Sequence, residues 1–136
     1  MAELVMVVED DAANAVLIEA ILTTVGGFEV VCSDDGDEIL ELVKDRPIVA
    51  ALMDVSLQNT RVGGEKVDGV ELTRRIRDFP EGLNLPVILL TAHAMKGDRE
   101  RCLAAGMNDY LTKPVKPAGL ERVLRDWLLS APTSTA

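Results

Sequence analysis

The stretch LVMVVEDD, residues 4–11, passes from a continuous apolar run directly into three acids. Continuous runs of this kind are typical of strands that are buried on both faces of a sheet. A second run, residues 48–53, ends in Asp54, and a third, residues 87–90, ends at Thr91. These runs alternate with helical patterns, which predicts a parallel sheet with helices on both faces.

The segments between these runs carry the spacing of amphipathic helices. Residues 12–25 place Val16, Leu17, Ala20 and Ile21 on one helical face, and the glycine pair that follows predicts the end of the helix. Further helices are predicted over residues 37–45, 68–79, 96–105 and 120–128, with shorter strands over residues 28–32 and around residues 110–111. The sequence therefore predicts an α/β fold of five βα units.

The length and net charge of the chain limit the number of domains and the classes of partner that it can have. The chain has 136 residues, 14 Lys plus Arg and 23 Asp plus Glu, which gives a net charge of −9. This length suits one domain, predicted over residues 1–130, with a short polar tail over residues 131–136 and no output domain. The acidic balance disfavours DNA and anionic membranes as partners.

The apolar runs, the first residues and the cysteines all bear on the location of the protein in the cell, and each is consistent with a reducing cytoplasm. The longest apolar runs are too short to span a bilayer, and the first residues lack the pattern of a signal peptide. The two cysteines, Cys32 and Cys102, form neither a disulfide framework nor a zinc set, and we expect both to be small core residues. We therefore expect a cytoplasmic protein.

Reactive side chains follow four of the predicted strands. Acids follow the first and third strands, Thr91 ends the fourth, and Lys113-Pro114 follows the fifth. The carboxyl ends of parallel strands lie at one edge of a sheet, so these residues converge there. Clustered carboxylates suit Mg²⁺, and a carboxylate can also act as a nucleophile on phosphorus. A Thr hydroxyl and a Lys ammonium would offset charge on a transferring phosphoryl group.

Each of these residues also has a plain structural interpretation. An acid after a strand often caps the next helix, which would account for Asp10 or Asp11. Simple surface or core positions would account for the others, namely Asp54, Thr91, Tyr110 and Lys113. Their joint placement at successive strand ends is what favours a shared site.

The motifs together resemble the response-regulator receiver domains of two-component and phosphorelay systems. The matching stretches are VVEDD at residues 7–11, LMDV at residues 52–55, LLTA at residues 89–92, GMNDY at residues 106–110 and Lys113-Pro114. The resemblance covers the chain from about Leu4 to Leu129. It implies a flavodoxin-like, doubly wound (βα)₅ fold whose five-stranded parallel sheet has the order 2-1-3-4-5.

The resemblance also implies a role for each site residue. Asp54 would accept the phosphoryl group, and Thr91 and Lys113 would contact its oxygens. Mg²⁺ (or Mn²⁺) would be held by Glu9, Asp10, Asp54 and the backbone carbonyl of Ser56. Tyr110 would be the aromatic switch, Pro114 would follow a cis peptide bond, and Ser56 and His93 would tune reaction rates.

The implied partners are a histidine kinase or histidine phosphotransfer protein as donor, and a downstream protein that the sequence does not name. The chain would then be a switch and not a conventional turnover enzyme.

One alternative is a degenerate receiver that binds partners without phosphorylation, which the intact acids disfavour. An Asp-nucleophile phosphatase would need a second acid just beyond Asp54, where Val55-Ser56 stand. A cofactor-binding flavodoxin would need a phosphate-cradling loop in place of the acids of residues 9–11.

One segment departs from the family pattern. Gln58 stands where the family has a Pro, and the Asp68-Gly69 pair comes late, so residues 58–66 are predicted to be an inserted loop. The insertion would be a tolerated surface loop, a lid over the acidic site or a docking loop for a partner.

Overall fold

The computed structural model describes residues 3–54, 57–58, 60–91 and 98–129. Along the chain the elements are β1 (Leu4–Val8), α1 (Ala12–Val25), β2 (Glu29–Ser33), α2 (Gly36–Asp45), β3 (Ile48–Asp54), β4 (Arg61–Val62), β5 (Glu65–Lys66), α3 (Gly69–Arg77), a 3₁₀ helix (Pro80–Gly82), β6 (Val87–Thr91), α4 (Asp98–Ala104), β7 (Asp109–Thr112) and α5 (Pro117–Leu129).

Five parallel strands form the main sheet in the order β2-β1-β3-β6-β7. Counted without the small strands β4 and β5, this is the predicted order 2-1-3-4-5, and the doubly wound fold is confirmed. The chain passes from β1 to β2 on one side and then to β3 on the other. The crevice at the carboxyl ends of β1 and β3 is therefore the switch point, where sheets of this class place their functional site.

The core consists of two layers, one on each face of the sheet. Alternate residues of β1 enter different layers: Val5 and Val7 pack with α1 and α5, and Met6 and Val8 pack with α2 and α3. This alternation follows from the strand period of two and explains why the predicted strands are apolar throughout. Among the described residues, no helix is both long enough and apolar enough to cross a membrane.

The prediction of the packed face of α1 is wrong in part. Ile21 is buried as expected, together with Ile18 and Leu22, but Ala20 is exposed, Val16 is 66% exposed and Leu17 is 46% exposed. The helix is apolar on nearly all sides, so hydrophobic spacing alone did not identify the face that meets the sheet.

The two cysteines differ in environment. Cys102 is buried, as predicted, but Cys32 is exposed, so its assignment to the core is wrong. The reason is that β2 forms one edge of the sheet, where only one neighbouring strand and a partial helical cover shield the side chains.

The inserted segment is not an irregular loop. Strands β4 and β5 pair antiparallel as a short hairpin, and Gly63-Gly64 form its turn with φ of 58° and 87°. Positive φ at both central residues is the geometry of a tight hairpin turn, which glycine adopts without strain. The hairpin packs against α2: a Cβ atom on Gly36 would lie 2.4 Å from the carbonyl oxygen of Arg61.

Candidate functional site

The register of the sheet brings four strand ends together. Val8 of β1 pairs with Met53 of β3, so Glu9 follows β1 beside Asp54. Asp54 pairs on its other side with Leu90, the residue before Thr91. Because β7 pairs Thr112 with Thr91, Lys113 continues from the same edge.

Three carboxyl groups meet in the crevice between these ends. Glu9, Asp10 and Asp54 each place one carboxylate oxygen within 4.8 Å of the others. Glu9 and Asp54 are buried and Asp10 is half-buried. A buried group of carboxylates is unfavourable without a cation, and its hard oxygen donors match the preference of Mg²⁺.

Lys113 supplies positive charge to this cluster. Its Nζ atom lies 3.0 Å from Oε1 of Glu9 and 3.2 Å from Oδ1 of Asp54. Burial alone would lower the pKa of Lys113, but the two carboxylates outweigh it and the pKa is raised above its ordinary value. The ammonium group is therefore charged at neutral pH. The Lys113–Pro114 peptide bond is cis.

The site alters the protonation of Glu9. Burial, followed by the neighbouring Asp54, raises the pKa of Glu9 from 4.5 to about 7. Its Oε2 accepts the main-chain N–H of Asp11 at 3.3 Å. Its buried Oε1 meets Lys113 as an ionic contact and, among the described residues, completes no directional hydrogen bond. This oxygen therefore retains acceptor capacity toward a bound cation, and the residues present fit a divalent metal.

The acids after β1 have separate partners. Asp11 caps α1, because its Oδ1 accepts the main-chain N–H groups of Ala13 at 2.9 Å and Asn14 at 3.1 Å. Oδ2 of Asp10 instead accepts the main-chain N–H of Gln58 at 2.8 Å. The helix cap is thus made by Asp11, and Asp10 belongs to the acidic cluster.

Residues near the cluster complete the edge. Thr91 is buried at the end of β6, and its carbonyl oxygen accepts the N–H of Lys113 at 2.7 Å. Tyr110 lies half-buried in β7 against the core layer of α2 and α3. Gly69 starts α3 under the site, where a Cβ atom would lie 2.5 Å from the Asp54 carbonyl oxygen. The expectations for Ser56 and His93 fall outside the described residues.

Sequence reasoning missed three interactions, one at this edge and two at the opposite end of the sheet, where β6 and β7 begin. One is the bond from Gln58 to Asp10, for which the only signal was a residue with an N–H where the family has Pro. The second is the Arg77 guanidinium at the end of α3, which donates to the carbonyl oxygens of Gly82, Leu85 and Gly106. The third is a 3.0 Å bond from Nε1 of Trp127 to Oδ2 of Asp109, beside Tyr110. Side-chain bonds between distant segments leave no periodic pattern in a sequence.

Comparison with known proteins identifies the family. Residues 5–125 match the model of the response regulator receiver domain. The chain belongs to the response-regulator receiver family. Receiver domains are signalling switches of two-component and phosphorelay systems.

Individual receiver domains agree with this assignment. The receiver domain of a sensor histidine kinase of Pseudomonas aeruginosa PAO1 is 40% identical, with a TM-score of 0.82 over 96% of this chain and 100% of that one. That crystal structure has a magnesium ion coordinated in its active-site cleft.

Two further similarities concern proteins of signalling relays. The histidine kinase BarA of Escherichia coli K12 is 36% identical over 124 residues, which is 91% of this chain and 13% of BarA, so the similarity concerns one segment of that kinase. A structure from Saccharomyces cerevisiae contains the phosphotransfer protein Ypd1 with the receiver domain of its downstream response regulator Ssk1. The matched chain of that structure is 25% identical to this one, with a TM-score of 0.79, and the match covers 94% of this chain and 90% of that one.

Proposed function

We propose that this receiver domain accepts a phosphoryl group on Asp54. The observation that carries the proposal is the buried Asp54 carboxyl group at the switch point, 3.2 Å from the Lys113 ammonium group and grouped with Glu9 and Asp10. A carboxylate oxygen of Asp54 would attack phosphorus in a phosphohistidine. The P–N bond breaks, the imidazole leaves with the electron pair and takes up a proton, and an acyl phosphate forms on Asp54.

We further propose that Glu9, Asp10, Asp54 and the backbone carbonyl of Ser56 hold Mg²⁺, or Mn²⁺ in its place. The acidic cluster of this chain and the magnesium-containing cleft of the Pseudomonas receiver support this assignment. When bound, the ion supplies charge neutralisation for the phosphoryl oxygens. Lys113 also supplies positive charge to the phosphoryl oxygens, because its pKa is raised and its ammonium group stays protonated.

The switch would connect this site to the face formed by α4, β7 and α5. In the proposal, the Thr91 hydroxyl bonds a phosphoryl oxygen and Tyr110 then turns inward. Helix α4 has only light anchoring, because Cys102 is buried but Leu103 is 52% exposed. A helix with few buried side chains is the element that rearranges at least cost. Ser56 and His93 remain predicted positions for tuning the rate.

The donor would be a histidine kinase or a histidine phosphotransfer protein, and the output would be binding to a downstream protein, with no DNA contact. Support for the donor comes from the relay proteins that this chain resembles, BarA and the Ypd1–Ssk1 pair. The rival hypothesis is a receiver that binds its partner without phosphorylation. The ion pairs of Lys113 with Glu9 and Asp54 favour the phosphorylated switch.

Incubation with acetyl phosphate followed by intact-protein mass measurement tests this function. We expect one phosphoryl mass on the wild-type protein with Mg²⁺ and none with a chelator. Asp10→Ala should also stay unlabelled. Equal labelling with and without chelator would contradict the metal requirement, and no labelling under any condition would favour the phosphorylation-independent binding module.

A further inference from the structure

We propose that Gln58 is a positioning residue for Asp10, acting through its main-chain N–H group. The N–H donates to Oδ2 of Asp10 at 2.8 Å, across 48 positions of sequence. The inference rests on the proposed function for its purpose, since Asp10 matters here as a ligand of the metal. It concerns a residue that lies outside the acidic cluster and has no direct role in phosphoryl transfer.

Electrostatics explain why Asp10 needs such a partner. Asp10 is half-buried beside the buried acids Glu9 and Asp54, so repulsion favours rotation of its carboxylate toward solvent. A hydrogen bond to a charged acceptor is roughly twice as strong as one between neutral groups. The Gln58 N–H therefore keeps the Asp10 carboxylate within the cluster before any cation binds. Groups that orient metal ligands in this way typically change metal affinity about 10–100-fold when removed.

Described residues on each side of Gln58 are held in place. Leu57 is buried before it, and after it Thr60 is buried and its carbonyl oxygen accepts the N–H of Val67 at 3.0 Å. This bond closes the base of the hairpin. The tip is tied to α2, because the N–H of Gly63 donates to Oδ1 of Asp37 at 3.1 Å. Leu57, directly before Gln58, and Thr60, two positions after it, are therefore held in place by packing and by the bond at the hairpin base.

The side chain of Gln58 is exposed, so the proposal assigns the effect to the main chain alone. Any residue with an N–H should serve, and proline should not, because it has no N–H to donate. Gln58→Ala is therefore the matched control for Gln58→Pro.

Binding of Mn²⁺, followed by electron paramagnetic resonance without any phosphodonor, measures the effect. We expect Gln58→Ala to bind Mn²⁺ as the wild type does and Gln58→Pro to bind about ten-fold more weakly. Equal binding by the proline variant and the wild type would overturn the proposal. An equal loss in both variants would also overturn it, since the side chain would then be responsible.

A measurement on the wild-type protein covers the case in which the proline variant does not fold. Amide hydrogen exchange of metal-free protein should show a slowed Gln58 N–H, and Asp10→Ala should speed its exchange at least ten-fold. Exchange of Gln58 at the unprotected rate in the wild type would overturn the proposal. Neither experiment uses phosphorylation, so failure of Asp54 to accept a phosphoryl group would leave both results interpretable.

Discussion

In the metal-free site, the Glu9 carboxyl group binds its proton more tightly than an exposed glutamate does. Its carboxyl group is buried beside Asp54, and its pKa of about 7 lies well above the ordinary 4.5. Lys113 offsets part of this effect through its 3.0 Å contact with Oε1. A cation bound among these acids would favour the ionised form, so metal binding would release the proton.

The first prediction concerns the pH dependence of stability in metal-free protein. The folded state holds the Glu9 proton more tightly than the unfolded chain, so the stabilisation is fully present below about pH 4.5 and is lost as pH rises through about 7. We expect the free energy of unfolding, measured with urea and chelator, to fall by up to about 3 kcal/mol over this range. Glu9→Gln should remove this slope. An equal slope in the variant would contradict the assignment to Glu9.

Arg77 uses all five of its N–H donors on neutral acceptors. Besides its bonds to the carbonyl oxygens of Gly82, Leu85 and Gly106, its Nη2 donates to Oδ1 of Asn108 at 2.8 Å. Nε also donates to Gly106, at 3.0 Å. Burial lowers the pKa of the guanidinium group, yet arginine remains charged at any relevant pH. One side chain thus ties the end of α3 to the turn that leads into β7.

The second prediction follows from this set of bonds. Arg77→Met should lower the free energy of unfolding by about 3 kcal/mol, because it leaves the partly buried carbonyl oxygens of Gly82 and Leu85 and the Asn108 side chain without this donor. Arg77→Lys should lose less stability than Arg77→Met but remain below the wild type, since an ammonium group lacks the planar set of donors of a guanidinium group. Arg74→Met is the control on the same helix, where the side chain is exposed, and should change stability by less than about 0.5 kcal/mol. Equal losses at both positions in urea unfolding would contradict the role of Arg77.

At the scale of elements, α1 presents an exposed apolar surface next to the site. The helix starts just after Asp10, and Val16 and Leu17 point outward from its first half. Exposed large apolar residues beside a reactive group favour contact with a protein donor. Leu83 is 59% exposed as well, but it lies between the 3₁₀ helix and the start of β6, away from the carboxyl ends of the strands, and serves as a matched control.

The third prediction separates donor docking from chemistry. A Val16→Ser, Leu17→Ser double variant should accept phosphoryl groups from a phosphohistidine protein at least ten-fold more slowly, with unchanged labelling by acetyl phosphate. Leu83→Ser should leave both rates unchanged. An unaltered transfer rate from the protein donor in the double variant would place the docking surface elsewhere.

The fourth prediction concerns the hairpin. Replacement of residues 61–66 by a short turn, with Gln58, Thr60 and Val67 kept, should leave acetyl phosphate labelling unchanged, because the hairpin packs on α2 and α3. Loss of the Val62 packing and of the Asp37 bond should lower the free energy of unfolding by about 1–2 kcal/mol. A several-fold change in labelling by the folded variant would show that the hairpin gates the site.

For the whole molecule, the fold could be predicted because its signals are periodic and local. The apolar run of β1 and the glycines and caps that end helices repeat along the chain, and the doubly wound sheet follows from their alternation. The packed face of α1 was missed because apolar residues surround that helix. The exposure of Cys32 depends on which strand forms the edge of the sheet, which is a property of the assembled topology.

Some features of the candidate site could also be predicted from the sequence, and others could not. Glu9, Asp10, Asp54 and Lys113 could be placed together because parallel strand ends share an edge. The bond from Gln58 to Asp10 and the three bonds of Arg77 to Gly106 and Asn108 join segments far apart in sequence, and their geometry exists only in the folded chain. The hairpin was predicted as an irregular loop because four paired residues are too few to show alternation.

Mapping of the phosphorylated residue tests the central claim most directly. Borohydride reduces an aspartyl phosphate to homoserine, so peptide mass analysis of protein that has been labelled with acetyl phosphate and Mg²⁺, then reduced, identifies the acceptor. We expect homoserine at position 54 alone, and no modified peptide from Asp54→Asn. Homoserine at any other acid, or equal labelling of the Asp54→Asn variant, would contradict the claim that Asp54 is the phosphoacceptor.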